Sequence, residues 1–194
     1  MITPTYADLR RPGEQRAALL YDAALILAGS WLVALCARIA IPLPFSPVPV
    51  TAQTLAVLLI GALLGSRRGG LSMLAYLAQG MAGLPVFAGG LSGPAVLTGP
   101  TGGYLIGFAV AAFCTGWLAE RGWDRRFVTT FLAMLLGNLV IYLCGVSWLS
   151  TLVGWDDAFR LGLYPFLIGD VAKIVLATAL LPSGWKFLAQ NTSV

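Results

Sequence analysis

The sequence predicts an all-α membrane protein, with six transmembrane helices in a compact bundle. Of the 194 residues, 58% are hydrophobic and only 10% are charged, and the mean hydropathy is +0.84. A soluble domain carries about 25% charged residues, so this chain cannot cover the surface of a soluble globule. The apolar residues also gather in separate segments of helical length. We therefore expect a single six-helix membrane domain over residues 1–194.

Six apolar segments can be recognised along the chain. A tilted span needs about 20 residues, so the second and fourth segments are short for a full crossing. The third is interrupted by glycines and a proline. The segments are Tyr21–Ile41, Ala52–Gly65, Leu71–Ala88, Tyr104–Ala119, Phe127–Trp148 and Pro165–Leu181.

The basic residues predict the orientation of these segments. With the N-terminus in the cytoplasm, nine of the twelve cations fall on the cytoplasmic side, which agrees with the positive-inside rule. These nine are Arg10, Arg11, Arg16, Arg67, Arg68, Arg121, Arg125, Arg126 and Lys186. Both termini are then cytoplasmic, and residues 1–20 form a cytoplasmic N-terminal arm. Membrane topology also explains the net charge of +4 better than binding to nucleic acid does.

The loops on the two sides differ in kind. The inner loops Ser66–Gly70 and Glu120–Arg126 are short and basic, and we expect them to be plain connectors. The outer loop Pro42–Val50 has four prolines, and Gly83–Gly103 is rich in glycine and has no charged residue. Irregular backbone near membrane depth is tolerated where protein covers it or where it lines a cavity. These loops are therefore predicted to cap an outward-facing pocket, although Gly83–Gly103 could also be a simple connector.

Asp170 and Lys173 are the most informative residues, because they lie inside the apolar sixth segment. Ionisable groups in hydrocarbon are costly, and they persist where they pair, line a wet cavity or bind a ligand. Three residues apart on a helix, the two side chains share one face. Together they offer an acceptor and a donor to a polar ligand with amide-like and anionic groups. The alternative is a purely structural ion pair.

Three further residues are candidates for the pocket. Gln79 is the lone amide near the outer end of the third segment, where it could bind a ligand or join two helices. Phe87 could form an apolar wall, and Tyr104 could supply a hydroxyl group. Each aromatic side chain could equally serve only in packing.

Small residues on the first segment suggest a docking face. Ala24 and Ala28 lie one turn apart, and small side chains allow membrane helices to approach closely. Gly61 and Gly65, and Gly103 and Gly107, have the same spacing, and for these pairs packing within the chain is the favoured interpretation. The Ala24–Ala28 face could instead dock a partner in the membrane.

The sequence lacks the motifs of several catalytic classes. It has no G-x-x-x-x-G-K-[ST] motif, no histidine and no nucleophile beside a base. Its three cysteines have no metal-ligand spacing and are expected to be buried hydrophobes. We therefore expect neither an enzyme nor a protein with a cofactor or metal site.

Four stretches of the chain combine glycine, proline and the buried ionisable pair in a specific pattern, namely VPVTAQTLAVLLIGALLG (Val48–Gly65), GLPVFAGG (Gly83–Gly90), GPTGGYLIGF (Gly99–Phe108) and PFLIGDVAK (Pro165–Lys173). These stretches resemble the BioY family of biotin-binding S components of energy-coupling factor (ECF) vitamin transporters.

The resemblance implies a multi-pass protein of a prokaryotic cell membrane that binds biotin from outside. It implies a membrane coupling subunit and two cytoplasmic ATPases as partners. It also places Asp170 and Lys173 in the pocket, Gln79 as a vitamin contact, and Ala24 and Ala28 on the coupling surface. Biotin uptake is thus the leading hypothesis. A self-sufficient carrier or channel without ATPase partners is the alternative.

Overall fold

Helices form most of the regular structure in residues 3–191, which are the residues that this computed structural model describes. In chain order they are α1 (Gln15–Cys36), α2 (Gln53–Leu64), α3 (Ser66–Met81), α4 (Ala95–Thr98), α5 (Gly102–Ala119), α6 (Phe127–Val153), α7 (Trp155–Gly162) and α8 (Leu167–Asn191). Short 3-10 helices occur at Tyr6–Arg10, Ala88–Gly90 and Tyr164–Phe166. Two short antiparallel strands, β1 (Ala40–Ile41) and β2 (Val50–Thr51), close the proline-rich loop at its base.

Within residues 3–191, four helical segments are long and apolar enough to cross a membrane. They are Gln15–Cys36, Gly102–Ala119, Phe127–Val153 and Trp155–Leu188. The helix α2 is apolar but has only 12 residues, and α3 has 16. The helical class of the protein is thus as predicted, whereas the count of six spans remains a prediction.

The prediction that Ser66–Gly70 is a connector is wrong, because these residues form the start of α3. Gly65 alone separates α2 from α3, and its φ of 86° is a conformation that glycine adopts without steric strain. The Glu120 side chain then caps α3, since its Oε1 accepts hydrogen bonds from the Ser66 backbone N–H at 2.7 Å and from Ser66 Oγ at 2.8 Å. A carboxylate at a helix N-terminus is favoured by the helix dipole.

Other boundaries also shift relative to the predicted segments. The helix α1 begins at Gln15, inside the predicted polar arm, and ends at Cys36, because the chain turns there towards β1. The helix α6 runs on to Val153, and α8 runs past Leu181 with Pro182 inside it.

The helix α5 lies at the centre of the bundle and packs against α2, α3 and α6. Gly61 of α2 and Gly69 of α3 meet near Ala112 of α5, where a Cβ added to Gly61 would lie 2.5 Å from the Ala112 carbonyl oxygen. Gly103 of α5 faces α6 just as closely, and Gly107 faces it somewhat less closely. The predicted packing within the chain is therefore confirmed for Gly61, Gly103 and Gly107, whereas Gly65 forms the turn between α2 and α3.

The N-terminal arm folds back onto one end of the bundle. The Thr3 N–H donates to the Glu120 carbonyl oxygen at 2.7 Å, and the Tyr6 ring packs 4.3 Å from that of Trp185 in α8. Arg68 pairs with Asp8 of the arm at 2.9 Å and with Asp22 of α1 at 2.7 Å. The arm thereby connects α1, α3, α8 and the turn between α5 and α6.

Burial at this end of the bundle shifts two titrating groups. It raises the pKa of Tyr6 to about 12, with a smaller contribution from the negative charge of Asp124. Burial also raises the pKa of Asp124, whose Oδ2 accepts a hydrogen bond from Trp185 Nε1 at 2.6 Å. Both groups therefore lie at a packed face rather than on a solvated tail.

Gly61→Ala is expected to lower the stability of the fold by about 1–3 kcal/mol, because the new methyl group would overlap a backbone that cannot move aside. Gly70→Ala in α3 is the matched control, since its Cβ would lie 3.6 Å from the nearest atom. Thermal unfolding of both variants in detergent measures the difference. Equal melting temperatures would contradict the close approach of α2 and α5.

Candidate functional site

A cavity of about 410 Å³ lies at the end of the bundle opposite the N-terminal arm. The helices α2, α5, α6 and α8 form its walls, and the loops before α2 and after α3 cover it. Most of its lining is apolar. The lining residues with polar or aromatic side chains are Thr51, Gln53, Thr54, Phe87, Ser92, Thr101, Tyr104, Phe108, Tyr142, Phe166, Asp170 and Lys173.

Asp170 and Lys173 form an ion pair in the cavity wall, with Nζ 2.8 Å from Oδ1. The pair is shielded, since the side chain of Asp170 is 6% exposed and that of Lys173 is 19% exposed. Lys173 Nζ also donates to the Thr51 carbonyl oxygen at 2.6 Å and to Thr54 Oγ1 at 2.9 Å. Its three N–H groups therefore all have partners within the chain.

The Asp170 carboxylate accepts hydrogen bonds from three further side chains. Thr54 donates to Oδ1 at 3.1 Å, while Asn138 at 3.3 Å and Tyr142 at 2.5 Å donate to Oδ2. Together with Lys173 these donors fill the four lone-pair positions that a carboxylate offers. A ligand that contacts Asp170 must consequently take the place of one of them.

Gln53 connects the cavity wall to the loop above it. Its Nε2 donates to the Tyr76 hydroxyl at 2.8 Å, and that hydroxyl donates to the Val86 carbonyl oxygen at 3.1 Å. The next residue, Phe87, is 1% exposed and meets the Tyr76 ring edge to face, with centroids 5.5 Å apart. Gly80 faces the Phe87 ring so closely that no Cβ would fit. Gly80 and Tyr76 thus fix Phe87 in the cavity wall.

Two loops cover the cavity, and both are tied to the helices below. In the proline-rich loop, Ser46 Oγ donates to the Leu161 carbonyl oxygen at 2.7 Å. In the glycine-rich loop, the carbonyl oxygen of Gly99 accepts from Trp148 Nε1 at 2.9 Å, and that of Pro85 accepts from Arg38. The Gly83–Gly103 segment is therefore an ordered part of the cavity wall rather than a loose connector.

Four of the five predicted ligand-binding residues come together at the cavity, namely Asp170, Lys173, Phe87 and Tyr104. The Tyr104 hydroxyl does not face a ligand, since it donates to the Gly162 carbonyl oxygen at 2.7 Å, and only its ring is left for contact.

Gln79 is not among the residues that line the cavity. Its Nε2 donates to Ser30 Oγ of α1 at 3.1 Å, so it joins two helices. The amide at the cavity is that of Gln53 instead. Gln79 is therefore not at the ligand cavity as predicted, because its side chain points towards α1.

Sequence reasoning missed Gln53, Thr54, Asn138 and Tyr142. A signal was available for the last two, because Asn138 and Tyr142 are four residues apart in an apolar helix and so share one face. Gln53 and Thr54 are adjacent polar residues at the start of α2. Nothing in the local sequence indicates that the start of α2 and this face of α6 both lie beside Asp170.

The Ala24–Ala28 face lies on the outside of the bundle. Both alanines are exposed, as are Leu27 and Trp31 beside them. This face therefore does not pack against the rest of the described chain.

Comparison with known proteins gives consistent matches along most of the chain. Residues 11–190 match the BioY family. The chain is 44% identical to the probable biotin transporter BioY of Pyrococcus horikoshii over 137 residues, which are 71% of this chain and 80% of that protein. It is 38% identical to the biotin transporter BioY2 of Lactococcus lactis over 161 residues, 82% of this chain and 87% of the relative.

A solved structure matches the fold. The crystal structure of the S-component for biotin from an ECF-type ABC transporter superposes with a TM-score of 0.73 at 25% identity, covering 90% of this chain and 95% of that one. These relatives are transport proteins rather than enzymes, as the sequence predicted.

Lys173→Met is expected to destabilise the ligand-free protein by about 3–5 kcal/mol, because it leaves the buried Asp170 carboxylate without its cation. The double variant Asp170→Asn/Lys173→Met should recover much of this loss, since it removes the uncompensated charge. Unfolding in detergent without ligand, for both single variants and the double variant, measures the coupling. Additive effects would mean that the two side chains do not stabilise each other.

Proposed function

The chain belongs to the BioY family, and from this we propose that it captures biotin for uptake into the cell. The observation that carries the proposal is the covered cavity with the Asp170–Lys173 pair in its wall. The relatives named above are a probable biotin transporter, a biotin transporter and the S-component for biotin from an ECF-type ABC transporter.

The chemistry of the cavity suits biotin. The ureido ring of biotin has N–H donors and a carbonyl acceptor, its thioether ring is apolar, and its side chain ends in a carboxylate. Asp170 can accept from N–H groups, and Lys173 can donate to a carbonyl or carboxylate oxygen. Phe87 and the ring of Tyr104 offer apolar surface to the thioether ring and the methylene chain.

Binding proceeds in this proposal by an exchange of hydrogen bonds. Oδ2 of Asp170 stays with Asn138 and Tyr142, which keep the carboxylate oriented. The Oδ1 side, where Thr54 and Lys173 now bind, opens to the ligand. Little hydrogen bonding is lost, because each partner released from the chain finds an equivalent partner on biotin.

We further propose that the chain is a single membrane domain with six spans, in the cytoplasmic membrane of a prokaryote. The helices α1, α5, α6 and α8 cross the membrane alone, and the short helices α2 and α3 cross it with the help of the covered loops at their ends. The predominance of cations at the end that holds the N-terminal arm supports a cytoplasmic position for both termini. The cavity then faces outwards.

The energy for uptake comes, in this proposal, from partner subunits. The chain has no P-loop motif, so ATP hydrolysis falls to two cytoplasmic ATPases joined through a membrane coupling subunit. The exposed Ala24–Ala28 face is the proposed contact with that coupling subunit. A self-sufficient carrier would need no such contact.

Asp170→Asn and Lys173→Met are each expected to weaken biotin binding about 10- to 150-fold, because each removes a charged hydrogen bond worth about 1.5–3 kcal/mol. Isothermal titration of the purified, folded variants measures the change. Gln53→Leu should weaken binding as well, whereas its matched control Gln79→Leu should not. Full affinity in all three cavity variants would refute the assignment of the site, and no saturable binding by the unmodified protein would refute the function.

Replacing both Ala24 and Ala28 by tryptophan is expected to block assembly with the coupling subunit while biotin affinity is retained, because the bulky rings prevent close helix contact far from the cavity. Co-purification with the coupling subunit and biotin titration separate the two effects. Leu74→Trp, on an exposed part of α3 (53% exposed), is the control. Normal assembly of the double variant would place the contact elsewhere, and uptake without any partner would favour the self-sufficient carrier.

A further inference from the structure

A second hollow lies on the outside of the bundle between α6 and α8, and we call it the lateral groove. Its volume is about 370 Å³ and its lining is almost entirely apolar. Three of its lining residues, Leu139, Leu143 and Val171, are 51%, 60% and 55% exposed, so the groove is open at the side of the molecule. In a bilayer this opening faces the hydrocarbon.

We propose that the lateral groove binds one acyl chain of a phospholipid. On α6 the groove extends from Leu135 to Ser147, which is about 18 Å at 1.5 Å per residue. One leaflet contributes about 15 Å to the hydrocarbon thickness. The groove therefore has the length of a single lipid chain and not of a full span.

The end of the groove next to α7 lies at the level of the lipid headgroups. Trp155 and Phe159 of α7 line the groove there, while Asp156, Asp157 and Arg160 of the same helix are exposed. An amphipathic helix of this kind lies in the interface between hydrocarbon and water, and tryptophan is enriched at that level. The occupant must then be apolar along most of its length and polar only at the α7 end.

The lining fits a flexible chain better than a partner helix. Membrane helices dock through small residues that allow close backbone contact, as on the Ala24–Ala28 face. The lateral groove presents the bulky side chains of Leu139, Leu143 and Val171 instead. These keep a second backbone at a distance but leave room for methylene groups.

The occupant would also support the ligand cavity from behind. Tyr142 and Asp170 line both hollows, so the wall between the groove and the cavity is one side chain thick. An acyl chain packed against this wall would restrain the side chains that hold the Asp170 carboxylate. The lipid site itself requires only that the chain lies in a membrane, so it does not depend on the proposed binding of biotin.

The test is photo-crosslinking of the full-length protein in phosphatidylethanolamine vesicles, with a diazirine on the acyl chain and without biotin. Crosslinks should concentrate on the peptides that contain Leu139 and Val171, above those on the exposed faces of α1 and α3. Leu139→Trp should lower the yield in the groove to that on the exposed faces of α1 and α3, because the indole ring would fill the space that the acyl chain occupies. Val171→Trp obstructs the groove from α8 and should have the same effect.

Leu74→Trp is the matched control, since Leu74 is 53% exposed on α3 and Leu139 is 51% exposed on α6. It should leave crosslinking in the groove unchanged. Equal yields on all lipid-facing helices, unchanged in both groove variants, would mean that the groove holds only ordinary boundary lipid and would overturn the proposal. Loss of the crosslinks when the coupling subunit is added would also overturn it, because the groove would then be a protein interface.

Discussion

The cost of placing an ion pair in hydrocarbon determines how the helices pack in the half of the bundle that contains the cavity. A charged residue at the centre of a membrane helix costs about 2.5–3.5 kcal/mol on insertion scales, and Asp170 and Lys173 are both nearly buried. Their hydrogen bonds require Thr51 of β2, Thr54 in the first turn of α2, and Asn138 and Tyr142 on α6. Three parts of the chain must therefore converge on α8, and the cavity is the space that remains between them and α5.

The first turn of α2 links the ion pair to the loops above it. Gln53 and Thr54 are adjacent, so their side chains leave the helix in different directions. Thr54 bonds to Asp170 and Lys173, whereas Gln53 bonds to the Tyr76 hydroxyl. That hydroxyl in turn donates to the backbone carbonyl oxygen of the residue before Phe87. A ligand that rearranges the Oδ1 side of Asp170 thus acts on the same turn that supports the loop. The same turn therefore supports both the ion pair and the loop that covers the cavity.

The two ends of the molecule have separate tasks in the proposed transport function. The end with the cavity is covered by loops that are held through backbone carbonyl groups. The opposite end carries the N-terminal arm and the charged cluster around Arg68. The Ala24–Ala28 face of α1 lies apart from the cavity, so a partner can bind there without touching the ligand. A subunit that must bind a ligand and a coupling subunit in turn benefits from this separation.

The sequence by itself determined the membrane class, the positions of the main helices and the buried pair, because hydropathy over a window and the cost of intramembrane charge are local properties. It also identified the glycine- and proline-rich loops, since their backbone requirements are local too. Only the tertiary structure decided that Ser66–Gly70 is helical, because the Glu120 side chain that caps it comes from a distant loop. In the same way, local sequence does not distinguish Gln53 from Gln79 as the amide at the cavity. Gln53 lines the cavity and Gln79 meets Ser30, because the direction of a side chain depends on which helices pack around it.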